Sequence, residues 1–205
     1  MPENLSKVLP LAAAALGGLV GMALLTGRFF YRPFNVTSDS LAPTLVTGDY
    51  VLGAQWSYHD RAPARGDIAV VNYRGSEYLK RIIGLPGEHV QMKAGILFIG
   101  GKAVPQLPTN HPPVRCGDED CGKLVEEVLP GGKRHLMVQE GPGFPGANTP
   151  ELFVPAGSYF VLGDNRGNSL DSRFDNFGFV PAASLTARAA YRYFSGGKLV
   201  WDVPE

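Results

Sequence analysis

The chain has 205 residues, of which 44% are hydrophobic and 19% are charged, so it can bury a core as one globular unit with a small second lobe. Nineteen basic side chains balance nineteen acidic ones and no basic run stands out, which argues against nucleic acid as the main partner. The 26 glycines and 17 prolines favour short strands and turns over long helices.

The first segment of note is the uncharged run VLPLAAAALGGLVGMALLT, from Val8 to Thr26. As a helix it would be about 28 Å long, close to the roughly 30 Å of a bilayer core. A cleaved secretory signal is the alternative, but its apolar region is typically shorter, and this run ends at Arg28 and Arg32 rather than at a small-residue site. We therefore expect an uncleaved membrane anchor. Its orientation is not fixed, because Lys7 and the amino terminus compete with the following arginines.

The stretch NVTSDSLAPTLVTGDYV, residues 35–51, places Ser38 and Ser40 one residue apart before a predicted strand. Ser, Asp and Thr are common turn residues, so a simple turn accounts for this stretch. A pair of small hydroxyls just before a strand is also suitable for catalysis. These residues alone do not decide between a simple turn and a catalytic site.

The pattern then predicts β-structure almost throughout. Strands are expected in DYVLGAQ, GDIAVVNY and SEYLKRIIGL, and HVQMKAGILFIGGKAV reads as a meander with two glycine-bearing turns. Between residues 105 and 155 proline, glycine and charge dominate, which predicts an irregular insert. Strand patterns return in ELFVPAGSYFVLGD, SLTARAAYRYF and KLVWDV.

Lys80 lies in the predicted strand YLKRII beside Arg81, so the two charges fall on opposite faces. An exposed or snorkelling lysine is one interpretation. The other is a buried lysine whose pKa is lowered from its usual value near 10.4 by desolvation, which would allow it to act as a general base near neutral pH.

The two cysteines, Cys116 and Cys121, occur in CGDEDC. We favour a local disulfide, which would place this part of the chain in an oxidising compartment. A zinc site completed by His111 and His135 and a pair of free thiols are the alternatives.

The segment GDNRGNSLDSRFDNFGFVP, residues 163–181, has more hydrogen-bonding capacity than a turn needs. Ser169 could orient an amine, and Asp171 with Arg173 could fix the loop through a charge-assisted pair.

Several common catalytic patterns are missing from the sequence: G-x-S-x-G, H-E-x-x-H, the P-loop and G-x-G-x-x-G. The four histidines, His59, His89, His111 and His135, are scattered, and none adjoins a small hydroxyl or a recognisable carboxylate partner. A Ser-His-Asp triad therefore has no support in the sequence.

Three of these segments, in this order, resemble the signature boxes of type I signal peptidases, the membrane-anchored Ser–Lys proteases of protein export. SDSLAPTLVTGDYV resembles the nucleophile box, RGDIAVV with YLKRIIGLPGE resembles the lysine box, and GDNRGNSLDSR followed by GFVP resembles the last and most specific box. Together with the anchor they cover most of the chain outside the insert.

The resemblance implies a role for each matching position. Ser40 would be the nucleophile, Lys80 its general base, and Ser38 would join the Ser40 backbone N–H in the oxyanion hole. Ser169 would orient the lysine amine. The remaining supporting positions are Asp171, Arg173, Arg81 and Asp164.

The resemblance further implies a signal-peptidase-like antiparallel β catalytic domain. Its two parts would be residues 29–89 and 158–205, with an anchor in residues 1–28 and a smaller inserted lobe in residues 90–157. The substrates would be preproteins with small residues at the first and third positions before the cut, of the Ala-x-Ala type, and no metal or cofactor would be needed. Such an enzyme would sit in the bacterial inner membrane as a single-pass protein facing the periplasm, with the lipid bilayer as its other partner.

The sequence departs from the family pattern at four places. Leu41 replaces a usual methionine, Asp39 a usual glycine and Gly167 a common aspartate, and two extra residues lie between Arg173 and GFVP. Asp39 could shift the working pH of Lys80 or point harmlessly outward. The alternative functions are a specialised maturation peptidase and, more distantly, a non-catalytic membrane-tethered binding module whose site these changes had ruined.

Overall fold

The computed structural model of the protein describes residues 30–112, 114–116 and 119–204, with side chains described outside residues 114–116 and 119–121. The predicted anchor, Val8 to Thr26, lies outside these residues. Within the part of the chain that is described, no helix is long and apolar enough to cross a membrane.

Sixteen β-strands and four short 3₁₀ turns make up the described chain. The strands are β1 (Tyr31–Asn35), β2 (Tyr50–Ala54), β3 (Ile68–Tyr73), β4 (Ser76–Gly84), β5 (His89–Lys93), β6 (Ile96–Ile99), β7 (Lys102–Ala103), β8 (Gln106–Pro108), β9 (Val114–Cys116), β10 (Glu119–Val128), β11 (Arg134–Gln139), β12 (Leu152–Phe153), β13 (Ser158–Leu162), β14 (Val180–Pro181), β15 (Leu185–Ser195) and β16 (Lys198–Asp202). The 3₁₀ turns are Asp39–Leu41, Gln55–Tyr58, Arg166–Asn168 and Ala182–Ser184.

The strands form three sheets, and all the strand pairs are antiparallel. The largest has eight strands in the order β1-β2-β15-β3-β4-β13-β14, with β16 paired to β15. The chain between β4 and β13 forms the other two sheets, β12-β5-β6-β7 and β11-β10-β8, with β9 paired to β10. The prediction of a mostly antiparallel β fold is therefore confirmed.

The segment predicted as an irregular insert, residues 105–155, is more regular than its composition suggested. It carries five strands, and the long hairpin of β10 and β11 pairs Lys123 with Gln139 through to Val128 with Arg134. The charged residues of β10 prevented its prediction as a strand. Glu126 pairs with Arg134 at the surface, while Glu127 points inward and is fully buried. Alternation is present, but on β10 a charge lies on each face.

Three apolar clusters hold the sheets together. One lies under the turn that carries Ser40 and includes Leu41, Leu45, Val51 and Val70. A second packs Ile82, Val161 and Phe177 on the other face of the large sheet. The third is shared by the large sheet and the two small ones, and its buried members are Ile83, Val90, Met92, Leu97, Ile99, Val104, Leu129, Val154, Phe160 and Leu162.

Candidate active site

Ser40 lies in the 3₁₀ turn Asp39–Leu41, which follows β1 directly. The neighbouring Leu41 is only 1% exposed and packs into the apolar cluster beneath the turn, so this similar-sized substitute for methionine anchors the loop. The Ser40 side chain is itself largely buried, which fixes its hydroxyl toward the interior of the site.

Lys80 occupies β4, which is an interior strand between β3 and β13. Its amine lies 2.9 Å from the Ser40 Oγ and 3.1 Å from the Ser169 Oγ, and only 2% of the residue is exposed. Burial lowers the pKa of Lys80 to about 8, against the opposing attraction of the Asp171 carboxylate. Of the two interpretations that the sequence left open, the buried lysine is therefore the one that the structure shows.

Ser38 places its hydroxyl 3.3 Å from the Ser40 Oγ. It is the N-cap residue of the 3₁₀ turn, yet its side chain makes no capping hydrogen bond and remains exposed. The side-chain oxygen of an N-cap serine usually accepts a hydrogen bond from a backbone N–H of the turn. Here the hydroxyl is available to a group that is bound beside Ser40.

Ser169 and Ser40 are brought together by a glycine between them. A Cβ at Gly163 would lie 2.3 Å from both the Ser169 Oγ and the Ser40 carbonyl oxygen, closer than atoms can approach. The backbone N–H of Asn165 also donates to the Ser40 carbonyl at 3.1 Å. Only glycine at this position lets the loop after β13 approach the turn that carries Ser40.

Asp171 and Arg173 form a bidentate ion pair in which both side chains are fully buried. The Arg173 Nε lies 2.8 Å from one carboxylate oxygen and its Nη2 lies 2.9 Å from the other. Asp171 also accepts the Gly163 N–H at 3.1 Å, and Arg173 donates to the Ser169 carbonyl at 3.3 Å. This pair therefore fixes the backbone on both sides of Ser169.

Arg81 and Asp164 form a second buried, bidentate pair, with distances of 2.8 and 2.7 Å. Thr44 donates to the same carboxylate at 2.7 Å, a contact that the sequence did not predict. Burial by itself would raise the pKa of Asp164, but the Arg81 guanidinium outweighs it and holds that pKa below its usual value. The charge next to Lys80 in β4 thus ties the strand to the loop after β13.

The structure thus brings all the predicted site positions into one region: Ser38, Ser40, Lys80, Arg81, Asp164, Ser169, Asp171 and Arg173.

Glu127 of β10 and Arg166 form a third buried ion pair, which was not predicted from the sequence. His135 of β11 lies beside it, with its Nε2 3.5 Å from the Glu127 carboxylate and 3.7 Å from that of Asp164. Burial lowers the pKa of His135 to about 4, so its ring is uncharged at neutral pH. No periodic pattern in the sequence marks these residues.

Asp39 and Gly167, two of the departures from the family pattern, are accommodated in different ways. The Asp39 carboxylate points away from Lys80 and accepts the backbone N–H of Thr47 at 2.8 Å. A Cβ at Gly167 would lie within 2.0 Å of the Glu140 carboxylate, so Glu140 fills the space that an aspartate at position 167 would need. Neither departure disturbs the contact between Ser40 and Lys80.

A groove of about 430 Å³ opens beside Ser40. One wall is the end of β1 and the residues after it, and the other is the first half of β4. The lining residues are Pro33, Phe34, Asn35, Val36, Thr37, Ser38, Ser40, Leu41, Val70, Glu77, Tyr78 and Leu79.

The remaining candidates lie apart from this contact. His59, His89 and His111 are all exposed. Cys116 and Cys121 fall on the paired strands β9 and β10, but their side chains are outside the described ones, so the disulfide stays a prediction. Among the described residues, no group of three or more His, Cys, Asp or Glu is arranged to hold a metal ion.

Comparisons with known proteins place the chain in a family. The sequence model of the family described as "Signal peptidase, peptidase S26" matches residues 11–194. Signal peptidase I of Rickettsia prowazekii (strain Madrid E) is 30% identical over 97% of this chain and 85% of its own length. That of Rickettsia akari (strain Hartford) is 31% identical over 90% of this chain and 79% of its own.

Among solved structures, a signal peptidase I from Enterococcus faecalis is 30% identical and covers 62% of this chain and 97% of its own. The TM-score of this comparison is 0.37. The family match over residues 11–194, supported by the two Rickettsia relatives, shows that the chain belongs to the signal peptidase family, peptidase S26.

Proposed function

We propose that this serine endopeptidase removes the signal peptides of exported preproteins with Ser40 as nucleophile and Lys80 as general base. The observation that carries the assignment is the buried contact of 2.9 Å between the Lys80 amine and the Ser40 hydroxyl. Family membership supplies the reaction, the hydrolysis of a peptide bond at a signal sequence. The geometry supplies the residues that would perform it.

The reaction follows from the positions of the two side chains. The neutral Lys80 amine accepts the proton of the Ser40 hydroxyl while the Oγ forms a bond to the scissile carbonyl carbon. The negative charge that develops on the carbonyl oxygen would be stabilised by the Ser40 N–H and the Ser38 hydroxyl. Lys80 then gives its proton to the leaving amine as the carbon–nitrogen bond breaks, and a water activated by Lys80 hydrolyses the ester.

The groove beside Ser40 favours an extended substrate. β1 is the edge strand of the large sheet, and β4 is paired with β13 only from Arg81 onward, so along Glu77 to Leu79 it pairs on one side alone among the described strands. A peptide lying between these two edges can form backbone hydrogen bonds to both. We expect the segment around an Ala-x-Ala site to bind in this extended form.

We also propose the membrane arrangement and the lobes that the sequence suggested. Residues 8–26 would cross the bacterial inner membrane once, with the catalytic domain on the periplasmic side. Ser40 lies fourteen residues after Thr26, so even a fully extended chain would hold it within about 50 Å of the end of the anchor. Residues 90–157 would be the smaller lobe, inserted between catalytic parts 29–89 and 158–205.

Cleavage of a preprotein with an Ala-x-Ala site by the detergent-solubilised protein tests the proposal. We expect the wild type to cut after the second alanine, and Ser40→Ala and Lys80→Ala to be inactive while their thermal unfolding stays cooperative. A Lys80→Ala variant that still cuts would show that the base lies elsewhere. Cleavage of several unrelated preproteins would favour the general enzyme over a specialised maturation peptidase.

A further inference from the structure

The ion pair of Glu127 and Arg166 joins the small lobe to the catalytic loop. Glu127 lies on β10 and is 0% exposed, and Arg166 lies three residues before Ser169 and is 1% exposed. The two guanidinium Nη atoms donate to the two carboxylate oxygens at 3.1 and 2.6 Å. Both charges are therefore fully enclosed and satisfied mainly by each other.

Arg166 is also bonded to the loop that carries Ser169, residues 163–173, which we call the support loop. Its Nε donates to the Gly163 carbonyl at 3.1 Å, and its own carbonyl accepts from Arg173 at 2.6 Å. Arg166 therefore bonds to both ends of the support loop, to Gly163 through its side chain and to Arg173 through its backbone carbonyl. The conformation of the loop between Gly163 and Ser169 depends on where the Arg166 guanidinium is held.

The small lobe holds the support loop by its backbone as well. The Val138 N–H of β11 donates to the Asp164 carbonyl at 2.9 Å, and Val138 and Asn165 form a parallel β-bridge. His135, on the same strand, fills the space between the carboxylates of Glu127 and Asp164. These contacts place one side of the support loop against β10 and β11.

Arg166 needs this particular carboxylate. An arginine cannot be deprotonated in a protein, so a buried guanidinium must keep a counterion. Asp164 and Asp171 also attract it, but each is already in a bidentate pair with another arginine, Arg81 or Arg173. Without the Glu127 carboxylate, the guanidinium would have to compete for those pairs or move toward solvent, and the support loop would move with it.

We propose that Glu127 is a positioning residue of the small lobe, which holds the support loop through Arg166 and thereby keeps Ser169 against the Lys80 amine. Glu127 touches neither Ser40 nor Lys80 in the hydrogen bonds of the site, so it acts through the loop alone. The inference rests on the proposed Ser40–Lys80 function. It makes the small lobe a working part of the active site.

The test compares Glu127→Gln with Glu126→Gln, its neighbour on β10, whose carboxylate pairs with Arg134 at the surface. The measured quantity is the rate at which a small serine-directed acylating inhibitor labels Ser40. A small inhibitor depends on the reactivity of Ser40 and Lys80 but does not have to bind in the groove. We expect Glu127→Gln to be acylated about 10- to 100-fold more slowly, the loss typical of a misplaced catalytic group. Glu126→Gln should stay within about twofold of the wild type.

The kinetic constants of peptide cleavage give a second test of the inference. In Glu127→Gln, kcat should fall by a similar factor while KM stays within about twofold, because the groove is lined by residues of β1, β3 and β4 that Glu127 does not contact. A folded Glu127→Gln enzyme with the acylation rate and kcat of the wild type would overturn the inference, and so would equal losses in the two glutamine variants.

Two further variants keep these outcomes separable. Lys80→Ala should not be acylated; if it is, the proposed dyad fails whatever Glu127 does. If Glu127→Gln does not fold because Arg166 is left unpaired, Glu127→Gln with Arg166→Met removes both buried charges at similar volume, a change that is often neutral in stability. We expect this double variant to fold and still be acylated at least about tenfold slowly. Wild-type acylation by the folded double variant would contradict the proposal.

Discussion

The acidic limb of the pH profile should report the ionisation of Lys80. Burial lowers the pKa of the Lys80 amine from 10.5 to about 8, which corresponds to roughly 3 kcal/mol of differential interaction. Only the neutral amine can accept the Ser40 proton. About 1% of the enzyme would carry it at pH 6 and about half at pH 8, so kcat/KM should rise about tenfold per pH unit on the acidic limb and level off above about pH 9.

The assay is cleavage of an Ala-x-Ala peptide at constant ionic strength from pH 6 to pH 10, on enzyme shown to be folded across that range. A limb centred near pH 6.5 would point to a histidine and refute the reasoning. A limb that is still rising tenfold per pH unit between pH 9 and pH 10 would refute it differently, because it would show that Lys80 is not desolvated in solution.

The same ionisation predicts how stability depends on pH. The folded chain releases the Lys80 proton near pH 8, whereas the unfolded chain keeps it until about 10.5. The unfolded state therefore binds more protons in this window, and the unfolding free energy should rise as pH increases through it. Urea unfolding at pH 7 and pH 9.5 measures the effect, and Lys80→Met should lose this contribution and be the more stable protein at pH 7.

Three substitutions give simpler outcomes. Ser38→Ala should lower kcat by about 10²- to 10³-fold with an unchanged thermal midpoint, if its hydroxyl stabilises the oxyanion; a smaller loss would assign it no such role. Gly163→Ala should abolish peptide cleavage and lower the thermal midpoint, because the new methyl group overlaps the Ser169 Oγ, and an active, stable variant would contradict the close approach. Asp39→Ala should keep its pH profile and lose only about 1 kcal/mol in urea unfolding, because its carboxylate accepts the Thr47 N–H.

Much of the site was within reach of the sequence because its residues lie in three short segments. Ser38 and Ser40 share one turn, and Ser169 shares a loop with its supporting ion pair. The burial of Lys80 was not within reach. A strand with one charge on each face looks the same whether it is at an edge or inside a sheet, and the Lys80 amine is removed from water only where the turn of Ser40 and the loop of Ser169 meet against it.

Glu127 and Arg166 show why the rest of the site could not be predicted. They are 39 residues apart, Glu127 on β10 and Arg166 in a 3₁₀ turn, and each has a plausible exposed role when its own segment is considered alone. A buried pair of this kind has no spacing rule, because its partners meet only where β10 packs against the loop after β13. The direction of the Asp39 side chain was equally inaccessible, since it depends on the turn at Thr47.

The apolar cluster that the three sheets share has a consequence for how the protein unfolds. Ile83, Phe160 and Leu162 belong to the large sheet, yet they are covered by Val90 and Leu97 from the chain between β4 and β13. Neither side can lose its structure without exposing the other to water, which couples the two thermodynamically. We expect the described part of the chain to melt in a single transition, so loss of the residues between β4 and β13 would unfold the large sheet as well.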